Sequence, residues 1–459
     1  HLRDTMLRRL SSSSLSRQVR GLATKATSSQ IQTRNVVLVD GARTPFCVSG
    51  TEYEDMMAHD LQREVFKAVL KKTAIEGKEI DYVIAGTVIQ EVLTSNIARE
   101  AGMGAGLPLS TPGHTVTLAC ISSNVAAMTA TAMIKAGMIE TALVGGVEYM
   151  SDIPIKFQRP LRKRMLKATK MKSAGQYLSL LNGLSLGDLA PQAPAVAEFS
   201  TGEVMGYSAD KLASKFGVTR AEQDAFALRS HQLAARAQEA GLFADEIMPT
   251  KNSRGAYVLK DNGVRGDSTI EKLASLKPAF IKPHGTITAA NASFLTDGAS
   301  AAILMSEEKC LALGYVPRSI MAHTVFSSQD PKEELLLGPA YAISKVLAQA
   351  GLTMRDIGVF EMHEAFAGQV LANFKALDSD KFCRESLGRS ERVGLPDMAI
   401  INARGGSLSI GHPFGATGTR LLKCATERLR AEDKTFALIA ACAAGGQAVA
   451  HIIERHKAY

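Results

Sequence analysis

No two of the six cysteines in this 459-residue chain form a CxxC pair; they stand singly at 47, 120, 310, 383, 424 and 442. That spacing excludes a zinc ribbon and a disulfide framework, and it suits a reducing compartment in which thiols act alone. Nucleotide signatures are also missing, since the glycine cluster GMGAG at 102–106 is neither a P-loop nor GxGxxG. Acidic residues are scarce at the start. None occurs between Asp4 and Asp40, while Arg3, Arg8, Arg9, Arg17, Arg20, Lys25 and Arg34 give residues 1–34 a net +6 of the chain's total +8. The body is therefore close to neutral, which removes the charge argument for nucleic-acid binding. An Arg- and Ser-rich, acid-poor start reads as a mitochondrial targeting segment over 1–34. No membrane-spanning run stands out either. Thr115–Ile134 is uncharged but holds Ser122, Ser123, Asn124, Thr129 and Thr131, the pattern of a helix buried in a globular core.

What is present is an ordinary globular balance, 46% hydrophobic and 21% charged. Apolar runs at Asn35–Asp40, Asp81–Val88, Thr141–Val147, Ser319–Val325, Asp356–Met362, Met398–Asn402 and Phe436–Ala441 read as strands. Leu61–Leu70, Asn96–Ala105, Ala340–Ala350 and most of His412–Leu429 carry helical periodicity. TALVGGVE (141–148) and FALIAACAAGG (436–446) both end an apolar strand in small residues after a helix. The order of elements repeats, which implies two duplicated halves of layered α/β type. Ser151–Lys277 breaks the pattern and reads as an insertion. Within it, Lys156–Lys172 carries eight Lys and Arg without an acid, and Tyr177, Leu180, Leu181 and Leu184 follow at helical spacing. Such a segment suits an anionic membrane surface; a solvated basic face or a phosphate site are the other readings.

Four residues are candidates for chemistry, although Cys442 alone also reads as buried filler and His363 as packing at a strand's end. Cys120 stands at a strand-to-helix junction, where the helix N-terminus favours thiolate over thiol, and Ser122, Ser123 and Asn124 are suited to starting that helix. His412 lies in GGSLSIGHPFGATG (405–418), whose glycines let backbone approach a ligand closely; a histidine there can take a proton from a thiol. His363 ends a strand in EMHEAFA, and Cys442 ends another in ACAAGGQ.

Together with GTITAANASFLTDGASA (285–301) and RAEQDAFALRSH (220–231), these motifs resemble the thiolase family from Asn35 to the end of the chain. The resemblance implies an α/β fold of duplicated halves, layered α/β/α/β/α, with an inserted loop domain. It divides the chain into the targeting segment 1–34, an N-terminal half at 35–150 plus 278–315, the loop domain at 151–277 and a C-terminal half at 316–459. It also implies roles. Cys120 is the nucleophile toward a 3-ketoacyl-CoA, His412 activates it, and Cys442 exchanges protons with the acetyl-CoA enolate and with CoA. His363 stands where the family usually has Asn, a position that places a water near His412. The backbone N–H groups of Cys120 and Ala444, the latter usually Gly, form an oxyanion site. Ser293 touches the pantetheine arm. No metal or other cofactor is implied, CoA being a substrate. The branch most resembled degrades long chains in mitochondria, dimerises, pairs with a hydratase/dehydrogenase α subunit and leaves 156–190 free for peripheral membrane contact; no nucleic acid is involved. A short-chain acetoacetyl-CoA thiolase and a catalytically silent scaffold are the alternatives. A condensing ketoacyl synthase fits less well, because it needs no second thiol.

Overall fold

The computed structural model describes residues 34–194 and 197–459. The targeting segment expected over 1–34 therefore lies, Arg34 apart, outside the described residues. The N-terminal half runs β1 (Val36–Arg43), α1 (Ala58–Thr73), β2 (Tyr82–Gly86), α2 (Ile97–Gly104), β3 (Gly113–Val116), α3 (Ser122–Lys135) and β4 (Thr141–Glu148), and is completed by β5 (Thr296–Ser306). The C-terminal half runs β6 (Ser319–Ser328), α4 (Gly338–Ala350), β7 (Ile357–Met362), α5 (Ala367–Leu377), α6 (Thr417–Ala431), β8 (Phe436–Ala443) and β9 (Gln447–Arg455).

The strands form one continuous path, β7-β8-β9-β6-β1-β5-β4-β2-β3. Apart from β3, an extra edge strand of the first half, the two halves repeat one order of pairings. In the first half β2 lies parallel to β3 and β4, β4 antiparallel to β5, and β5 antiparallel to β1. In the second, β7 is parallel to β8, β8 antiparallel to β9, and β9 antiparallel to β6. The halves join where Val37 and Leu38 pair with Ile320 and Ser319. The duplication inferred from TALVGGVE and FALIAACA is thus a duplication of topology.

Helices α1 and α4 cover the outer faces of their own halves, whereas α3 and α6 touch each other and lie between. Helix α6 packs on strands of both halves. The buried side chains of this middle layer are mostly small or β-branched: Ala126, Ala127, Ala130 and Ile134 from α3 meet Leu421, Leu422 and Ala425 from α6. Small side chains let two helices approach closely and pack at near-crystalline density. The uncharged Thr115–Ile134 run is the buried central helix that its composition implied.

Met398–Asn402, expected as a strand, is instead one turn (Met398–Ile400) followed by a single bridge from Ile401 to Phe360. Asn402 has φ +44, outside the extended region. Its side-chain amide accepts from Met362 N–H and donates to Met362 O, both at 2.8 Å, doing what a ladder would have done. The expected apolar stripe in the insertion is also shorter than a helix of its length: only Ala174–Ser179 is helical, and Tyr177 and Leu181 are exposed.

Glycine allows the tightest crossing between the halves. A Cβ on Gly146 of β4 would lie 2.0 Å from the carbonyl oxygen of Gly415, just before α6. Gly146→Ala should therefore destabilise the protein by about 1–3 kcal/mol or more, read as a lowered denaturation midpoint; an unchanged midpoint would mean the crossing has slack.

Candidate active site

Two helix starts build the site. Cys120 precedes α3 by two residues and His412 precedes α6 by five. Ser122 does not cap its own helix as anticipated. Its Oγ accepts from Leu118 N–H at 2.9 Å and donates to Ala119 O at 2.7 Å, closing a knuckle in which Ala119 has φ +44. Ser123 instead accepts from Thr419 N–H at 3.1 Å, so it caps the first turn of α6. A Cβ on Gly418 would sit 2.2 Å from Asn124 Oδ1. The two helix starts are thus locked against one another, and Cys120 and His412 come with them.

Cys120 Sγ and one ring nitrogen each of His363 and His412 lie within 4.8 Å of one another. The two rings have centroids 4.0 Å apart, inclined at 43°. Ile121, next to Cys120, packs with Ala441 and Ala443, which flank Cys442. The two cysteines are close enough for the charge of one to raise the other. Ala444 follows the strand, and its N–H faces Cys120, as does the N–H of Cys120 itself. All four candidate side chains and both candidate amides therefore converge. Ser293 is half-buried beside the HEAFA loop, donating from its N–H to Ala365 O at 2.9 Å.

Burial favours the neutral form of His412. Thr417 Oγ1 lies 3.1 Å from Pro413 O and 2.7 Å from His412 Nδ1; when its proton goes to the carbonyl, it accepts from His412 Nδ1–H. In that arrangement Nε2 keeps a lone pair, buried and without a partner among the described residues. Burial holds the imidazole well below the ordinary histidine pKa, with His363 and Arg420 adding to the effect. His363 is pushed down to about 3 by burial and then by Arg420.

The thiol departs from the expected behaviour. A helix N-terminus was expected to favour thiolate, yet Cys120 is pushed up to about 12, first by burial and then by the nearby Glu148 carboxylate. The amides of Ala444 and Cys120 pull the other way by less. Desolvation of a charge outweighs the dipole of a helix end. Cys442 is raised as well, by burial and then by Cys120. At rest the site thus holds two thiols beside a neutral base.

Glu148 escaped the sequence reading. Buried at the end of β4, it accepts from Val88, Ile89 and Gly415 N–H at 3.1, 2.9 and 3.0 Å, and burial raises it to about 7. An acid ending an otherwise apolar strand was the available signal. Glu364 is likewise structural, accepting from Ser230 Oγ at 2.8 Å, Asn402 Nδ2 at 2.6 Å and Leu408 N–H at 3.2 Å. The glycines around His412 serve the chain rather than a ligand: a Cβ on Gly406 would lie 2.3 Å from the Glu364 carboxyl carbon, and one on Gly415 2.4 Å from Val147 O. Cys120, His363 and His412 are also spaced to share a soft cation. A second trio, Asp40, Asp245 and Glu427, already surrounds Lys423 Nζ at 2.8, 2.7 and 2.6 Å.

Family models for the thiolase N-terminal domain and the thiolase C-terminal domain match residues 36–308 and 315–455. The chain is 56% identical over 433 residues to the human "Trifunctional enzyme subunit beta, mitochondrial", covering 94% of this chain and 91% of that one. It is 54% identical over 423 residues to a "Probable 3-ketoacyl-CoA thiolase" of Caenorhabditis elegans, covering 92% and 94%. Among solved structures, human mitochondrial 3-ketoacyl-CoA thiolase in complex with CoA superposes with a TM-score of 0.80 at 30% identity, covering 92% of this chain and 98% of that one.

If His412 is the base for Cys120, His412→Asn should slow iodoacetamide capture of Cys120 by about 10²-fold or more, followed by mass spectrometry of the Cys120 peptide. The site also fixes a pH limb. Because His412 titrates below its ordinary value, the acid limb of kcat/KM should fall below pH 6.5; a limb at or above that pH would contradict the buried neutral imidazole.

Proposed function

The chain belongs to the thiolase family of acyltransferases, and on that premise we propose that it cleaves 3-ketoacyl-CoA with CoA, giving acetyl-CoA and a shortened acyl-CoA in mitochondrial β-oxidation. The observation that carries this reading is the meeting of Cys120, Cys442 and the His412 lone pair in one pocket. His412 Nε2 takes the Cys120 proton, and the sulfur attacks the 3-keto carbon. The oxyanion so formed accepts from the N–H groups of Cys120 and Ala444, toward which the sulfur already lies. Collapse breaks the C2–C3 bond and leaves an acyl thioester on Cys120. The departing enolate, its oxygen held by the two histidines, takes a proton from the Cys442 thiol. Incoming CoA then gives its proton to the Cys442 thiolate and attacks the acyl carbon; Cys120 leaves as thiolate and recovers its proton from His412. Protons and bonds balance using side chains alone, so the reading includes no metal or redox cofactor. Ser293, beside the HEAFA loop, is assigned to the pantetheine arm.

The long-chain preference and the pairing with a hydratase/dehydrogenase α subunit rest on likeness to relatives whose name makes them a subunit of a trifunctional enzyme. A homodimer is supported by β3, a half-exposed strand with one edge open, which leads directly into the Cys120 knuckle. Peripheral contact with the inner membrane is assigned to 156–190. Lys163, Lys167 and Lys170 are exposed there beside exposed Phe157, Met165, Leu166, Tyr177 and Leu181. Among the described residues no helix is long and apolar enough to cross a membrane, so the contact is superficial.

Two measurements test these assignments. Turnover of 3-ketohexadecanoyl-CoA should exceed that of acetoacetyl-CoA, and Cys120→Ser should lower it by about 10⁴-fold or more. Turnover of acetoacetyl-CoA alone would make this a short-chain enzyme, and no turnover of either would make it a scaffold. Cosedimentation with cardiolipin-containing vesicles should weaken when Lys163, Lys167 and Lys170 are all changed to Gln, each near-surface charge contributing about 1 kcal/mol; equal sedimentation would remove the membrane assignment.

A further inference from the structure

We propose that Ser407, held by Arg420, is a positioning residue that sets the tautomer of His363 and makes its Nε2 a hydrogen-bond donor facing the reaction centre. The inference rests on the thiolysis reading for its purpose but on the hydrogen bonds for its content. Ser407 Oγ lies 3.0 Å from His363 Nδ1 and 3.3 Å from Arg420 Nη2. A guanidinium can only donate, so Arg420 takes a lone pair of the serine. Among the described residues, the acceptor within reach of the single Ser407 proton is His363 Nδ1. All three side chains are buried, and a buried hydroxyl proton left unmade is costly. Ser407 therefore donates to Nδ1, and the one proton of the neutral imidazole sits on Nε2. That nitrogen is buried and has no partner among the described residues.

The contrast with the neighbouring ring gives this arrangement its meaning. Thr417 passes its proton to a carbonyl and leaves His412 Nε2 bare; Ser407, facing a cation instead of a carbonyl, passes its proton to the ring and leaves His363 Nε2 protonated. Two rings with centroids 4.0 Å apart thus present opposite groups, one acceptor for the thiol proton and one donor for an oxygen that gains charge. Two lone pairs would supply no donor before proton transfer, and two N–H groups no base. Arg420 is itself anchored. Its Nη1 lies 3.6 Å from Glu361, which Arg428 holds at 2.7 Å on the other oxygen.

The test uses the full-length enzyme. Ser407→Ala should lower kcat for thiolysis by about 10²-fold, the cost of one misaligned oxyanion donor, with KM and thermal midpoint little changed; Ser407→Thr, which keeps the hydroxyl, should restore most of it. In a His363→Asn background the amide supplies its own N–H, so adding Ser407→Ala should change kcat by no more than about twofold. An equal loss in both backgrounds would mean Ser407 only packs, and the proposal would fall. Nitrogen-15 NMR of the histidine rings gives a readout independent of turnover: His363 should be the Nε2–H tautomer in the unchanged protein, and the Nδ1–H form would overturn the proposal. Absence of thiolysis by the unchanged protein would sink the catalytic reading alone, leaving the tautomer to the NMR result.

Discussion

The first turns of the two central helices lie directly against one another, and the proposed chemistry depends on that contact. Gly418 lies against Asn124, Gly415 against Gly146, and Ser123 caps the opposite helix rather than its own. A Cβ at any of the three glycines would meet a neighbour at under 3 Å. Close-packed interiors transmit such constraints because there are few voids to absorb a shift. The residues just upstream of each helix, Cys120 and His412, are consequently brought together by the same contact that joins the halves. Strands then deliver the other two, His363 from the end of β7 and Cys442 from the end of β8, which lie side by side in the sheet.

Burial governs the electrostatics of the pocket more than any single charge does. It keeps both histidines neutral and both thiols protonated, and it raises Glu148. A thiolate formed in this setting has little water around it, so its stabilisation must come from the proton acceptor and the fixed amides. Arg420 contributes a permanent positive charge behind the two imidazoles, and Glu361 and Arg428 hold it there.

Much of this was legible in the chain. Periodicity located the core helices and most strands to within a few residues, because each buries one face against a layer. The motifs around Cys120, His363, His412 and Cys442 were dense enough in reactive and small residues to mark them out. The errors share a cause. Asn402 read as part of a strand because apolar composition does not reveal a side-chain amide taking over backbone bonds. Ser122 and Ser123 read as caps for their own helix, while one closes a knuckle and the other serves a helix about 300 residues away. Glycines read as room for a ligand, but the space they make is filled by Glu364, Val147 and Asn124. The Cys120 thiolate followed from a local dipole, which desolvation by distant residues outweighs.

The amino-acid order alone therefore determined the repeated α/β plan, the insertion and the choice of candidate site residues, since these depend on local pattern and residue type. Which side chains face each other, which nitrogen carries a proton and how far each pKa moves were decided by tertiary packing. Hydrogen-bond partners such as Ser407 and Thr417, and the exclusion of water from the pocket, arise only between segments far apart in sequence. Proton positions follow from those contacts, and no local stretch of the chain encodes them.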